Sequence, residues 1–217
     1  YQEITRIDKE ISEGRFGKNE ALLSAFGKAS SSGATVHLFG LVSDGGVHSS
    51  DRHLRALLEM AKAAGLSGEQ VALHAFLDGR DTRPRSAEKY IEAVEGWMTE
   101  FGVGRVASVI GRYFAMDRDK RWERVQLAYD CLTLGQGYSV ETAQAAIAAA
   151  YERNENDEFV KPTVIGSPDR GRVRTGDAVL FFNFRTDRAR QLTEAFVSHD
   201  FQAFPRASVP VVHFVTM

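Results

Sequence analysis

The sequence predicts an α/β protein, a three-layer α/β/α sandwich around a largely parallel central sheet, and three observations carry that expectation. Charge-poor apolar runs of strand length recur along the chain (ATVHLFGLVS, VALHAFL, RVASVIG, DAVLFFNF), and strands apolar along their whole length belong to parallel sheets covered on both faces. Segments with apolar residues at helical spacing separate these runs, giving a repeated β-then-α order. The 217 residues, 43% hydrophobic and 26% charged, have the composition of an ordinary globular domain that builds its own core.

YQEITRIDKEISEG and KNEALLSAFGKASSSG read as two lead-in helices forming a hairpin, with Asn19 as N-cap and Gly33 just past the second. ATVHLFGLVS follows as a strand. SSDRHLRALLEMAKAAGL places Leu54, Leu57, Leu58 and Ala61 on one helical face. VALHAFL is a strand and SAEKYIEAVEGWMTEFG a helix capped by Ser86; RVASVIG is a strand and DKRWERVQLAYDCLTLGQG a helix. SVETAQAAIAAAYERN reads as an Ala-rich helix, and residues 154–176 as a loop or hairpin too polar for the core. DAVLFFNF, TDRARQLTEAFVS and VPVVHFV close the order as strand, helix and strand.

Bulk charge narrows the function. A net charge of −2 excludes a surface that coats nucleic acid, which needs a broad excess of Lys and Arg. Any anion site is therefore local. Twenty of the 27 basic residues are Arg, a skew that suits small-anion recognition and that genomic base composition also produces. Cys131 is the sole cysteine, so no intrachain disulfide or cysteine metal cage forms, and its apolar helical phase places it in the core. No apolar run approaches the roughly 20 residues that span a bilayer, and no signal peptide opens the chain, so the cytoplasm is expected. A start on Tyr1 and an end on VVHFVTM are what a piece of a longer protein would show.

Ligands of open parallel sheets bind outside the carboxyl ends of the strands. Here those ends carry SDGGVHSS, DGRDTRPRS, GRYFAMDRD and RTDRAR, which bring His48, Arg80, Asp81, Arg112, Arg118, Arg185 and Arg188 to one rim. Arg185 and Arg188 fall at or just before the first turn of a helix, where the dipole disfavours each cation by about 0.3–1 kcal/mol unless an anion is present. Each member also has a plainer reading. Asp187 can pair with the two arginines, DGRD can close a turn by an Asp–Arg pair, and His48 can be a helix-start residue with a satisfied ring. Four such loops together outweigh the members taken singly. His37, His74 and His213 lie within strands and read as buried, hydrogen-bonded core histidines. FGKAS lacks the strand and upstream glycine of a phosphate loop. FLDGRDT is weakly similar to the strand-end aspartates of haloacid-dehalogenase-like phosphatases but lacks their Asp-x-Asp spacing.

In order, GLVSDGGVHS, HAFLDGRDT, GRYFAMDRD and LFFNFRTDR resemble the 2,3-bisphosphoglycerate-independent phosphoglycerate mutases, and the resemblance extends to YQEITRI and HFVTM. It implies interconversion of 3-phosphoglycerate and 2-phosphoglycerate in glycolysis and gluconeogenesis, without 2,3-bisphosphoglycerate. It also implies two domains: an alkaline-phosphatase-like one with two Mn2+ ions and a nucleophilic serine that carries the phosphoryl group, and an inserted phosphotransferase, or substrate-binding, domain. Residues 1–217 are similar to the second only, with no metal ligands, so Asp44, Asp78, Asp117 and Asp119 read as solvated or hydrogen-bonded carboxylates.

The resemblance further implies that His48 contacts substrate and that Arg80 and Asp81 hold the glycerate. Arg112 and Arg118 would grip its carboxylate side, and Arg185 and Arg188 its phosphate. Asp81, the one anion, would act as acid or base on the hydroxyl that exchanges phosphate. A monomer is expected, partnered by the phosphatase-like domain of its own chain and inactive without it. The alternatives are a stand-alone binding module for phosphorylated three-carbon acids and an Asp-dependent phosphatase using Asp78 or Asp81.

Overall fold

The computed structural model describes residues 2–217, so Tyr1, at the head of the first predicted helix, lies outside the described residues. In chain order the elements are α1 (Glu3–Ser12), α2 (Glu20–Ser32), β1 (Val36–Leu41), α3 (Asp51–Ala63), β2 (Val71–Leu77), α4 (Ala87–Phe101), β3 (Arg105–Gly111) and α5 (Arg112–Ala115). They continue with α6 (Trp122–Leu134), β4 (Tyr138–Val140), α7 (Ala143–Glu152), β5 (Thr163–Ile165), α8 (Pro168–Gly171), β6 (Ala178–Phe181), α9 (Arg190–Val197) and β7 (His213–Thr216).

One seven-stranded sheet has the order β4-β5-β3-β2-β1-β6-β7. The pairs β1–β2, β2–β3, β1–β6 and β6–β7 are parallel, while β5 runs antiparallel to β3 and carries β4 with it. Side chains alternate across the sheet as the pleat requires. Val36, Leu38, Leu73 and Leu77 join Phe26 of α2, Leu57 of α3 and Ile91 of α4 on one face. Phe39, Leu41, Phe76 and Phe181 join Tyr129 of α6 and Phe196 of α9 on the other. The result is the expected three-layer sandwich, with two reversed edge strands. The chain runs from β1 to β2 and β3 on one side and later places β6 and β7 on the other, so the switch in strand order lies between β1 and β6, where open α/β sheets form their ligand crevice.

Local chemistry explains the element ends. Asn19 Oδ1 accepts from Leu22 N and starts α2, and Gly33 ends it in the left-handed region at φ 72°. Ser86 occupies the N-cap position of α4, but its hydroxyl donates to Arg83 O instead of accepting from the helix. The two lead-in helices do not form a hairpin that stands apart: α1 packs on α3, and α2 on β6 and β7. The final helix starts at Arg190, later than its sequence pattern indicates, and β7 is confined to four residues.

Residues 154–176 depart most from the sequence expectation. They contain β5, and Asp157, Val160, Thr163, Val164 and Val173 are buried. The Ser-Val ahead of the Ala-rich helix belongs to β4. Both strands have three residues, too few to display a period.

His37 and His74 are buried as expected. His213 is not: it is only half-buried, its Nδ1 lies 3.4 Å from Lys28 Nζ, and its Nε2 has no partner. An edge strand has no neighbour to cover it. No helix among the described residues is long and apolar enough to cross a membrane.

Candidate functional site

Because β1, β2, β3 and β6 run in one direction, the segments after them share a single rim. The β2 end is a turn closed by its own aspartate. Asp78 Oδ1 accepts from Arg80 N (3.2 Å) and Asp81 N (2.9 Å), and Oδ2 accepts from Ser43 Oγ (2.7 Å) across on the β1 loop. Burial raises the Asp78 pKa, but the amide of Asp81, the Ser43 hydroxyl and Arg112 together outweigh burial and hold it below the ordinary value. A carboxylate so fully supplied with donors is a scaffold, and the phosphatase alternative that used it as a nucleophile loses its free oxygen.

Arg112, 2% exposed, occupies the first turn after β3 and connects the loops. Its Nη1 lies 2.7 Å from Asp78 Oδ1 and 2.6 Å from Asp81 Oδ2, and its Nη2 lies 2.9 Å from His48 Nε2. Burial lowers the arginine's pKa, yet Asp81 and Asp78 raise it further, so the guanidinium keeps its charge. A guanidinium only donates, so His48 Nε2 must be the lone-pair nitrogen and the ring proton sits on Nδ1. Burial first, and the Arg112 charge second, push the His48 pKa down to about 4, so the ring is neutral. His48 lies two residues before the Ser50 N-cap of α3 and takes no part in capping it.

Around this buried group lies a more open set. Asp187 faces Arg118 Nη1 at 2.8 Å and Arg185 Nε at 3.0 Å. Arg185 is exposed and stands five residues ahead of α9, so the helix dipole gives no account of it. Arg188 is half-buried and donates to Met116 O at 3.2 Å. Burial, then the charges of Arg112, Arg118 and Arg80, lower its pKa. Arg80 is exposed and reaches Glu158 at 3.5 Å. The fold thus brings His48, Asp81 and Arg112 into direct contact, sets Arg118, Arg185 and Arg188 beside them, and leaves Arg80 at the margin.

Four contributors lie outside the rim residues named from the sequence. Ser43, and Asp78, which the sequence offered only as a solvated or hydrogen-bonded carboxylate or an alternative phosphatase nucleophile, are polar residues at strand ends. Asn183 links β1 to the β3 loop, accepting from Leu41 N at 2.9 Å and reaching Met116 Sδ at 3.6 Å. The fourth is the turn at 157–160, a buttress under the rim with no motif to mark it. Gly111 N donates to Val160 O, and a Cβ on Gly111 would collide with the Glu158 carbonyl. Gly79, at φ 67°, would bring a Cβ to 2.9 Å from Asp157 Cβ and Glu158 N. Asp157 in turn accepts from Ser86 N at 2.9 Å and from Tyr151 Oη at 2.5 Å.

Among the described residues, no group of three or more His, Cys, Asp or Glu side chains is placed to hold a metal ion. Asp117 accepts from Asp119 N and Arg121 N, Asp44 is exposed beside Lys89 and Tyr90, and Asp119 is exposed. A cleft of about 520 Å³ adjoins the site, lined in part by Asp44, Asp81, Thr82 and Arg83. Clefts of about 580 and 680 Å³ lie elsewhere, beside Arg105 at the opposite end of β3 and between α1, α2 and Met217. Volume alone does not locate the chemistry; the converging charges do.

Residues 7–217 match the family model described as "BPG-independent PGAM N-terminus". The chain is 52% identical over 218 residues to a protein of Aeromonas salmonicida named 2,3-bisphosphoglycerate-independent phosphoglycerate mutase, covering 100% of this chain and 42% of that one. It is 55% identical over 213 residues to a protein of the same name from Hahella chejuensis, covering 97% and 41%. In a crystal structure of Leishmania mexicana phosphoglycerate mutase at low cobalt concentration, a region 32% identical superposes with a TM-score of 0.93, covering 100% of this chain and 41% of that one. The chain therefore spans about two fifths of the length of the relatives it matches.

Proposed function

Because the chain belongs to the BPG-independent PGAM N-terminal family, we propose that it is the substrate-binding, or phosphotransferase, domain of a longer two-domain phosphoglycerate mutase. The substrate would be 3-phosphoglycerate and its 2-phospho isomer, and the setting a monomeric, cytoplasmic enzyme of glycolysis and gluconeogenesis.

One observation carries the reading. Arg188 is a half-buried cation that donates only to Met116 O and makes no ion pair among the described residues, with the charges of Arg112, Arg118 and Arg80 against it and that of Asp187 in its favour. Cations gathered in a partly dry cleft favour an anion between them. A phosphoglycerate brings about three negative charges, on a phosphate and a carboxylate that both match the guanidinium fork.

Within that reading Arg185 and Arg188 take the phosphate, Arg112 and Arg118 the carboxylate side, and Arg80 and His48 the glycerate. Asp81, held 2.6 Å from Arg112 Nη1, faces the hydroxyls. Ionised beside Arg112, it accepts a proton from the glycerate hydroxyl that gains phosphate, and the proton so held is donated to the oxygen that loses phosphate in the next turnover. The phosphoryl group rests meanwhile on a serine outside this chain. Glycerate must stay bound through that interval, since its escape would leave net hydrolysis, and holding it is the role proposed for this domain. The two Mn2+ ions assigned to the other domain would stabilise phosphoryl charge when bound; the residues present here do not form their site.

Calorimetry of the full-length protein with 3-phosphoglycerate tests the reading. Arg188→Ala is expected to weaken binding at least about tenfold, by analogy with other charge-assisted contacts. Unchanged binding would sink the assignment. Residues 1–217 alone are expected to show no mutase activity.

A further inference from the structure

Asp187 is the acid among these arginines that the functional reading leaves without a task, and its geometry is that of a group shared between two states. Its carboxylate faces Arg118 at 2.8 Å and Arg185 at 3.0 Å, the two cations expected to meet substrate. Its Oδ1 also lies 3.8 Å from Nδ1 of His48, too far for a hydrogen bond. That nitrogen is the ring's only N–H, because Arg112 occupies Nε2, and it is buried without an acceptor among the described residues. The ring cannot readily turn to find one: Arg112 holds its far side, and the His48 carbonyl accepts from Arg185 N at 3.3 Å. A buried donor in a fixed ring thus lies 3.8 Å from a carboxylate oxygen that is itself buried without a hydrogen bond, while Arg118 donates to the other oxygen and Arg185 Nε stands 3.0 Å from the first.

We propose that Asp187 is an internal stand-in for the substrate anion. It holds Arg118 and Arg185 in the empty cleft and exchanges them for the Nδ1–H of His48 when phosphoglycerate arrives. Arg118 and Arg185 have side chains 42% and 47% exposed, so their pairs with Asp187 are screened by water and readily traded for a more highly charged partner. Asp187, released, completes the one hydrogen bond that His48 lacks. The chain Asp187–His48–Arg112–Asp81 then locks the acid/base carboxylate only when ligand is present. Asp187 is a positioning residue in this scheme: it touches no reacting atom and acts through His48.

The proposal rests on the anion-site reading above and can fail separately from it. In the full-length protein, Asp187→Asn removes the competing anion and the acceptor together. It is expected to tighten 3-phosphoglycerate about two- to tenfold by calorimetry, the scale of losing two exposed ion pairs. It is also expected to lower kcat, so that affinity and turnover move in opposite directions. Asp200→Asn, which removes the same charge at an exposed position that makes no ion pair among the described residues, controls for bulk electrostatics and is expected to change neither. Imidazole 15N spectra supply the direct readout: saturating ligand should move the His48 Nδ1–H signal downfield in the parent protein and leave it in place in the variant. Unchanged or weaker binding by Asp187→Asn, or a His48 signal that ignores ligand in the parent, overturns the exchange. If Arg188→Ala also binds normally, the anion-site reading falls with it; if Arg188→Ala shows its expected loss, only the exchange is lost.

Discussion

Arg112 and His48 are joined so that the arginine decides which nitrogen of the histidine carries the proton. The guanidinium donates to Nε2 at 2.9 Å, and its other arm is held by Asp78 and Asp81. Three strand ends, those of β1, β2 and β3, thereby meet on one side chain.

Lysine at position 112 keeps the charge but not the fork, and a single ammonium on a shorter side chain cannot serve His48 and both carboxylates in the same geometry. Arg112→Lys is expected to destabilise the protein by roughly 1–3 kcal/mol, and Arg112→Ala, which strands the buried Asp78, by roughly 3–5 kcal/mol. Urea denaturation measures both. Equal costs for the two variants would show that the charge itself contributes nothing there and that only the fork geometry matters.

The buttress makes a steric prediction. Gly111→Ala drives a methyl group into the Glu158 carbonyl, and Gly79→Ala adds a strained φ of 67° to contacts at 2.9 Å. Each is expected to cost roughly 1–3 kcal/mol. Each should also weaken 3-phosphoglycerate binding in the full-length protein, because the 157–160 turn and the Asp78 turn rest on one another. Gly17→Ala, where a Cβ meets nothing within 4 Å, is the matched control and should leave binding unchanged.

What could be read in advance follows the same physics. β2 and β3 were legible to the residue, since seven-residue strands in the middle of a sheet leave mostly apolar runs in which Arg105, at the start of β3, is the one charge. β4 and β5 were not: three residues cannot display a period, and Asp157 is buried because a partner in a distant segment, Ser86 N, satisfies it. At the rim, Gly, Asp and Arg after four strands marked the place. Whether a given arginine was already occupied depended on contacts such as Arg118 with Asp187, 69 residues apart, which no local pattern encodes. His213 misled for the converse reason, because a strand-like run does not announce that it lies at an edge.

Cys131 offers a check on the core that does not involve the site. It is 3% exposed within α6, and burial pushes its thiol up to about 12. The thiolate is the reactive form, so the native protein should resist a disulfide reagent at pH 8 and release one thiol equivalent on unfolding. Prompt native reactivity would place Cys131 at an open seam and contradict the packing of α6 on the sheet.

The last prediction concerns acid. In the core, Ser108 Oγ lies 2.8 Å from His74 Nδ1, His74 Nε2 lies 3.0 Å from His37 Nδ1, and His37 Nε2 lies 3.1 Å from Asp177 Oδ2. One direction satisfies every atom, with the serine donating to His74, His74 to His37 and His37 to the carboxylate. A further proton on His37 Nδ1 would set its N–H against that of His74, and one on His74 Nδ1 would force the Ser108 hydroxyl to turn and accept. Burial first lowers the pKa of both histidines, and each falls below its ordinary value, as that of His48 does to about 4. The unfolded chain, with histidines near 6.5, therefore binds more protons between about pH 4 and 6.5, and stability rises with pH across that window. Moving from pH 7 to pH 5 should remove about 1–2 kcal/mol through His48 alone, with a further loss through His37 and His74. Below the ordinary aspartate range a second loss follows, as Asp78, Asp177 and Asp187, all held below their ordinary values, take up protons. Urea midpoints at pH 7, 5 and 3.5 check both steps. A midpoint that does not fall between pH 7 and 5 would mean that the histidines are charged in the native core, which the hydrogen-bond directions oppose.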